Sequence, residues 1–127
     1  MGLMDKMKTG AKNLDNRMGQ SVDSAKYDSK ISDQKNIKRK AIEEAGQKMF
    51  DAYVANGTTT ITDEIKELYE KAKACDVEIE KLEKEKAEMI EANKAERQAN
   101  RDELAAKEEA DRKAREEAKA AEAEKKE

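Results

Sequence analysis

The chain has 127 residues, 45% of them charged, 36% apolar and only 3% aromatic, with no proline and no histidine. So little apolar material excludes a thick, multilayered core, and abundant Ala, Glu and Lys with few β-branched or aromatic residues argue for helix over sheet. The formal charge of −3 is unevenly spread: residues 1–40 carry ten Lys and Arg against five Asp, whereas residues 41–127 carry seventeen against twenty-five acids.

Residues 1–20 read as a short amphipathic helix. Leu3, Met4, Met7, Ala11, Leu14 and Met18 share one face, continued by Val22 and Ala25, and Lys6, Lys8, Lys12 and Arg17 lie mostly off it. Gly2, Gly10 and Gly19 each lower helix propensity by about 1 kcal/mol relative to Ala. The segment is therefore expected to be weakly helical alone and ordered against a surface. That surface is either the hairpin that follows or a membrane interface, where a basic amphipathic helix lies flat. On the second reading the membrane face is Leu3, Met4, Met7, Leu14 and Met18.

Residues 21–55 read as the first long helix. Ser21 or Asp23 can cap it if the chain breaks near Gly19; helix running through Gly19 is the alternative. Its seam is expected at Ile31, Ile42, Ala45, Met49 and Ala52, interrupted by Lys35 and Lys38. Asn56-Gly57 should end it, because glycine tolerates the left-handed conformation common at helix C-termini. Thr60 or Thr62 can cap the next helix, with Asp63 and Glu64 in its first turn to complement the dipole.

From Thr62 to about Ala92 the pattern is clearest. Ile65, Leu68, Ala72, Cys75, Ile79, Leu82 and Met89 recur alternately three and four residues apart, with Lys86 as the polar interruption. That spacing draws one narrow apolar stripe down a helix, the coiled-coil signal. A short connection at 56–62 makes the two long helices antiparallel neighbours, 21–92 forming a hairpin. Folding back about the turn pairs positions whose numbers sum to roughly 117. Ala52 then faces Ile65, Met49 faces Leu68, Ala45 faces Ala72, and Ile42 faces Cys75.

Beyond Met89 the seam positions become Asn93, Glu96, Asn100 and Glu103, so the coiled coil is expected to end near Glu91–Lys94. Residues 93–127 are almost only Ala, Glu, Lys, Arg and Asp. Glu103–Lys107, Glu108–Arg112, Glu109–Lys113 and Glu122–Lys126 place acid four residues before base, each pair worth about 0.2–0.5 kcal/mol. A long solvated C-terminal helix is expected; a disordered charged tail is the competing reading.

Chemistry is sparse. The absence of His removes the commonest general base and metal ligand. Cys75, the single cysteine, sits on the apolar seam and reads as a small buried hydrophobe. No glycine-rich phosphate loop occurs, so no catalytic, cofactor or metal site is assigned. Lys38-Arg39-Lys40 is a poor nucleic-acid stripe, because three adjacent charges point around a helix and no aromatic platform accompanies them. With one cysteine and no secretory or spanning apolar run, a reducing cytoplasm is the expected compartment, the basic front able to meet a membrane.

Ser29-Lys30-Ile31, Gly46-Gln47-Lys48-Met49-Phe50-Asp51-Ala52-Tyr53, Glu64-Ile65-Lys66-Glu67-Leu68-Tyr69 and Ile79-Glu80-Lys81-Leu82-Glu83-Lys84-Glu85 carry a resemblance, together with the opening Met1-Gly2-Leu3-Met4-Asp5-Lys6-Met7-Lys8. Over residues 1–90 the chain resembles the helical part of small Firmicutes coiled-coil proteins that often end in a zinc ribbon. The Cys-x-x-Cys pairs of that ribbon are missing here, so no zinc function is implied. The opening also resembles the membrane-binding first helix of bacterial ESCRT-III-like phage-shock proteins.

The expectation is an all-α antiparallel hairpin acting as a non-enzymatic coiled-coil scaffold. Off-seam Ile37, Val54, Val77 and Ile90 suggest a second contact face, so a homo-oligomer or another helical protein is the expected partner. Peripheral binding to an anionic membrane through residues 1–20 is the alternative. A third option is an adaptor whose C-terminal helix is a spacer.

Overall fold

A computed structural model describes residues 2–125. The fold is all-α: helix α1 spans Leu3–Asn56 and helix α2 spans Asp63–Lys125, packed antiparallel as a hairpin. α1 runs unbroken through Gly10 and Gly19, so neither Ser21 nor Asp23 caps a separate helix.

The corner is built from local chemistry. Gly57 has φ +70°, and its N–H donates to the Tyr53 carbonyl at 2.7 Å. This is the left-handed cap in which the residue beyond the helix satisfies a carbonyl of the last turn. Thr62 opens α2: its hydroxyl accepts the Ile65 N–H at 3.3 Å and its carbonyl accepts the Lys66 N–H at 2.9 Å. Asp63 and Glu64 occupy the first turn, where negative charge suits the exposed amide dipoles.

Val22–Glu88 forms one compact unit. Ile31, Ala41 and Ala45 on α1 and Ile65, Ala72, Cys75 and Leu82 on α2 are buried. Met49, Ala52, Leu68 and Ile79 are half-buried beside them. An alanine side chain reaches one carbon from the backbone, so burial of Ala41, Ala45 and Ala72 requires the two helices to approach closely. The Tyr69 hydroxyl donates to the Met49 sulfur at 3.2 Å, a contact between the two helices near the corner.

One expected seam residue is corrected. Ile42 is 44% exposed, and Ala41 takes the inward position instead. The inward positions on α1 step through Ile31, Gln34, Lys38, Ala41, Ala45 and Ala52. Spacings of three-then-four and four-then-three both bring Ile31, Lys38, Ala45 and Ala52 inward every seventh residue. The partner's register chooses the residue between them, and it selects the smaller side chain at 41. Lys35 is exposed for the same reason, with Gln34 half-buried in its place.

The lysines at or beside the seam are ion-paired across it: Lys38 to Asp76 at 2.7 Å, Lys48 to Glu64 at 2.6 Å and Lys86 to Asp28 at 2.6 Å. Their stems lie along the hairpin while the ammonium groups reach carboxylates at its edge. The hydrogen bond that the Lys48 ammonium donates to Glu64 raises the lysine above its usual range.

The described parts of Met1–Ser21 and Met89–Glu127 form the second unit. Here the expected solvated helix is corrected in part. Asn93, Arg97, Asn100, Leu104 and Asp111 are half-buried, and so are Asp5, Thr9, Asn13, Asn16 and Gln20 of α1. The seam therefore continues past Glu91–Lys94, because hydrogen bonds between polar side chains replace apolar burial. From Met89 the inward steps on α2 run Asn93, Arg97, Asn100 and Leu104, with two successive steps of four. Such an insertion locally unwinds a coiled coil.

Residues 112–125 are exposed along the helix. Lys107 pairs with Glu103 at 3.2 Å and Lys113 with Glu109 at 4.0 Å, as their spacing leads one to expect. Arg112 pairs instead with Glu109 and Glu116, and Glu108 reaches Lys6 at 3.6 Å. The Glu122–Lys126 pair lies outside the described residues.

Nothing lies within 4 Å of a Cβ added at Gly57, so its cost is purely conformational. Gly57→Ala is expected to destabilise the chain by about 1–2 kcal/mol. The measurement is the thermal midpoint by circular dichroism; an unchanged midpoint would contradict the left-handed corner.

Candidate functional site

Each helical residue rotates the side-chain direction by roughly 100°. Between Leu3 and Gln20 that rotation separates two faces. Asp5, Thr9, Asn13, Asn16 and Gln20 lie on one, turned toward α2. Leu3, Met4, Met7, Ala11, Leu14 and Met18 lie roughly opposite. The five large side chains of this stripe are 59–73% exposed. The segment thus packs on α2 with its polar face and presents its apolar face outward.

A hydrogen-bonded network holds that orientation. Arg97 Nη1 donates to Asn16 Oδ1 at 2.8 Å and to Gln20 Oε1 at 2.7 Å. The Asn16 amide donates to Glu96 at 2.9 Å and to Asn93 at 3.3 Å. Asn100 donates to Asn13 at 3.0 Å, and Asn13 donates back to the Arg97 carbonyl at 3.3 Å. Bonds from a guanidinium are roughly twice as strong as neutral ones. Turning the apolar face inward would leave all these donors and acceptors unmatched against α2. An asparagine at a seam position is a known device for fixing coiled-coil register, and here it also fixes which way α1 is rotated.

The stripe has cationic borders. Lys6 and Arg17 project to one side of it and Lys8 and Lys12 to the other; all four are exposed. Asp15 is the one acid beside the stripe. The arrangement offers an apolar ridge about four turns long between two positive margins.

A second exposed apolar group sits at the corner of the hairpin: Phe50, Tyr53, Val54 and Ile61 are 57–68% exposed. Cys75 is buried, a free thiol. Among the described residues no three His, Cys, Asp or Glu side chains are grouped to hold a metal ion, and no helix is long and apolar enough to cross a membrane.

The expected membrane-face residues Leu3, Met4, Met7, Leu14 and Met18 thus share one exposed surface. The residues that orient it, Asn13, Asn16, Gln20, Asn93, Arg97 and Asn100, escape an apolar-periodicity reading. Their signal is polar: asparagines three or seven apart in two distant segments, at positions a seam would occupy. Comparison with protein-family models, with curated proteins and with solved structures finds no match to this chain.

Arg97→Ala removes both bonds to Asn16 and Gln20, each charge-assisted bond being worth about 1.5–3 kcal/mol. Amide exchange across residues 5–20 is expected to accelerate by about tenfold or more, while residues 31–82 keep their protection. Unchanged exchange at 5–20 would show that the network does not hold the segment.

Proposed function

We propose that this chain is a peripheral membrane protein that binds an anionic lipid surface through the outward face of residues 3–18. One observation carries the reading: the largest apolar side chains of this segment point away from their own partner helix and lie between rows of lysine and arginine. Burying such a stripe at a lipid interface removes apolar surface from water at about 25 cal/mol per Å². Cations at the headgroup level add about 1 kcal/mol each on an anionic leaflet. The hairpin that carries the stripe acts without catalysis.

A second reading, self-association as a scaffold, is favoured by the corner group of Phe50, Tyr53, Val54 and Ile61. A two-helix seam leaves these side chains uncovered, and a second copy can bury them.

Met7→Glu with Leu14→Glu is expected to lower affinity for anionic vesicles by at least about tenfold, since each buried side chain of this size contributes about 1.5–3 kcal/mol. Co-sedimentation of the full chain checks it; a wild-type chain that stays in the supernatant would refute the membrane reading. Phe50→Ser with Val54→Ser is expected to lower the molar mass seen by light scattering at tens of micromolar. A wild-type monomer there would end the scaffold reading.

A further inference from the structure

In the unit that contains the stripe, Arg17 of α1 and Glu91, Lys94, Arg97 and Arg101 of α2 line an open cleft of about 470 Å³. The three α2 cations follow one another at steps of three and four, which brings them to one side of the helix. Arg97 donates to Asn16 and Gln20, and Arg101 reaches only Gln98, at 3.4 Å. Among the described residues none of the four forms an ion pair. That is unusual company in a chain where acids outnumber bases and where Lys38, Lys48 and Lys86 each hold a carboxylate at 2.6–2.7 Å.

Four cations against the one carboxylate of Glu91 leave the cleft with a surplus of positive charge, which favours an anion. Guanidinium groups present planar donor forks that match the oxygens of a phosphate, two bonds at a time. The position of the cleft narrows the choice further. Arg17 lines it and also borders the apolar stripe, one residue before Met18 and three after Leu14. A phosphate held by Arg17 therefore sits at the edge of an apolar ridge, as a lipid phosphate sits at the edge of its acyl chains.

We propose that this cleft is a phosphate site for the headgroup of an anionic phospholipid, a proposal that rests on the membrane reading above. Arg17, Lys94 and Arg101 supply the donors. Arg97 donates while its bonds to Asn16 and Gln20 keep α1 in place.

The test uses the full chain with Arg17→Gln, Lys94→Gln and Arg101→Gln, which leaves the Arg97 network intact. The control carries Lys40→Gln, Lys66→Gln and Lys71→Gln, exposed charges of the other unit, so that net charge is matched. Both are sedimented with phosphatidylcholine vesicles containing or lacking phosphatidic acid. The cleft variant is expected to lose about tenfold or more affinity than the control. Equal losses would overturn the proposal, leaving only unspecific charge attraction.

A second measurement separates the sources of phosphate. Glycerol 3-phosphate is titrated against the arginine Nε–H resonances at constant ionic strength. Saturable shifts at Arg17 and Arg101 support the cleft as a phosphate site; no shift in either overturns it. Shifts in a wild-type chain that ignores every vesicle would refute the membrane reading and the lipid assignment while keeping the phosphate site.

Discussion

A helix can offer only one face to a neighbour, and between Asp5 and Gln20 that face is polar. The guanidinium of Arg97 and the amides of Asn13, Asn16, Asn93 and Asn100 are matched across the seam. Once this rotation is set, Leu3, Met4, Met7, Leu14 and Met18 have nowhere to point but outward. An apolar seam in the same place would have consumed the stripe. The proposed function therefore depends on the polarity of the inward face as much as on the apolarity of the outward one.

The two units are held by different physics. In Val22–Glu88 the seam buries Ile31, Ile65 and Leu82, and each such side chain contributes about 1.5–3 kcal/mol. In the unit with Met1–Ser21 the seam is a set of hydrogen bonds, the neutral ones worth about 0.5–1.5 kcal/mol net and those to charged groups about 1.5–3 kcal/mol, because water competes for the same groups. Segments held by few buried apolar contacts are the ones that open first. On the proposed membrane reading, that arrangement leaves the segment ordered before contact and still adjustable on contact.

The corner sets which segments meet. Gly57 in its left-handed conformation and Thr62 as the cap terminate α1 and start α2 within a few residues. The reversal brings Lys48 to Glu64, Lys38 to Asp76 and Asp28 to Lys86 in one register. Surface ion pairs of this kind contribute little to stability. Their use here is to cover the polar ends of lysines whose stems lie along the seam.

Much of this was legible in the order of the residues. The helical class, the break at Asn56-Gly57, the cap at Thr60 or Thr62 and the stripe from Ile65 to Leu82 follow from spacing and local propensity, which act within a few residues. So does the apolar face of residues 3–18. What periodicity could not decide was the phase of α1, because Ile42 and Ala41 are both compatible with a seven-residue repeat and only the facing helix chooses between them. Nor could it show that residues 93–111 are packed rather than solvated, or that the N-terminal helix turns its polar side inward. Those outcomes rest on hydrogen bonds between residues about eighty positions apart, such as Asn16 with Arg97. Pairing at that distance is a property of the folded chain, since each partner taken alone is only another polar residue on a charged helix.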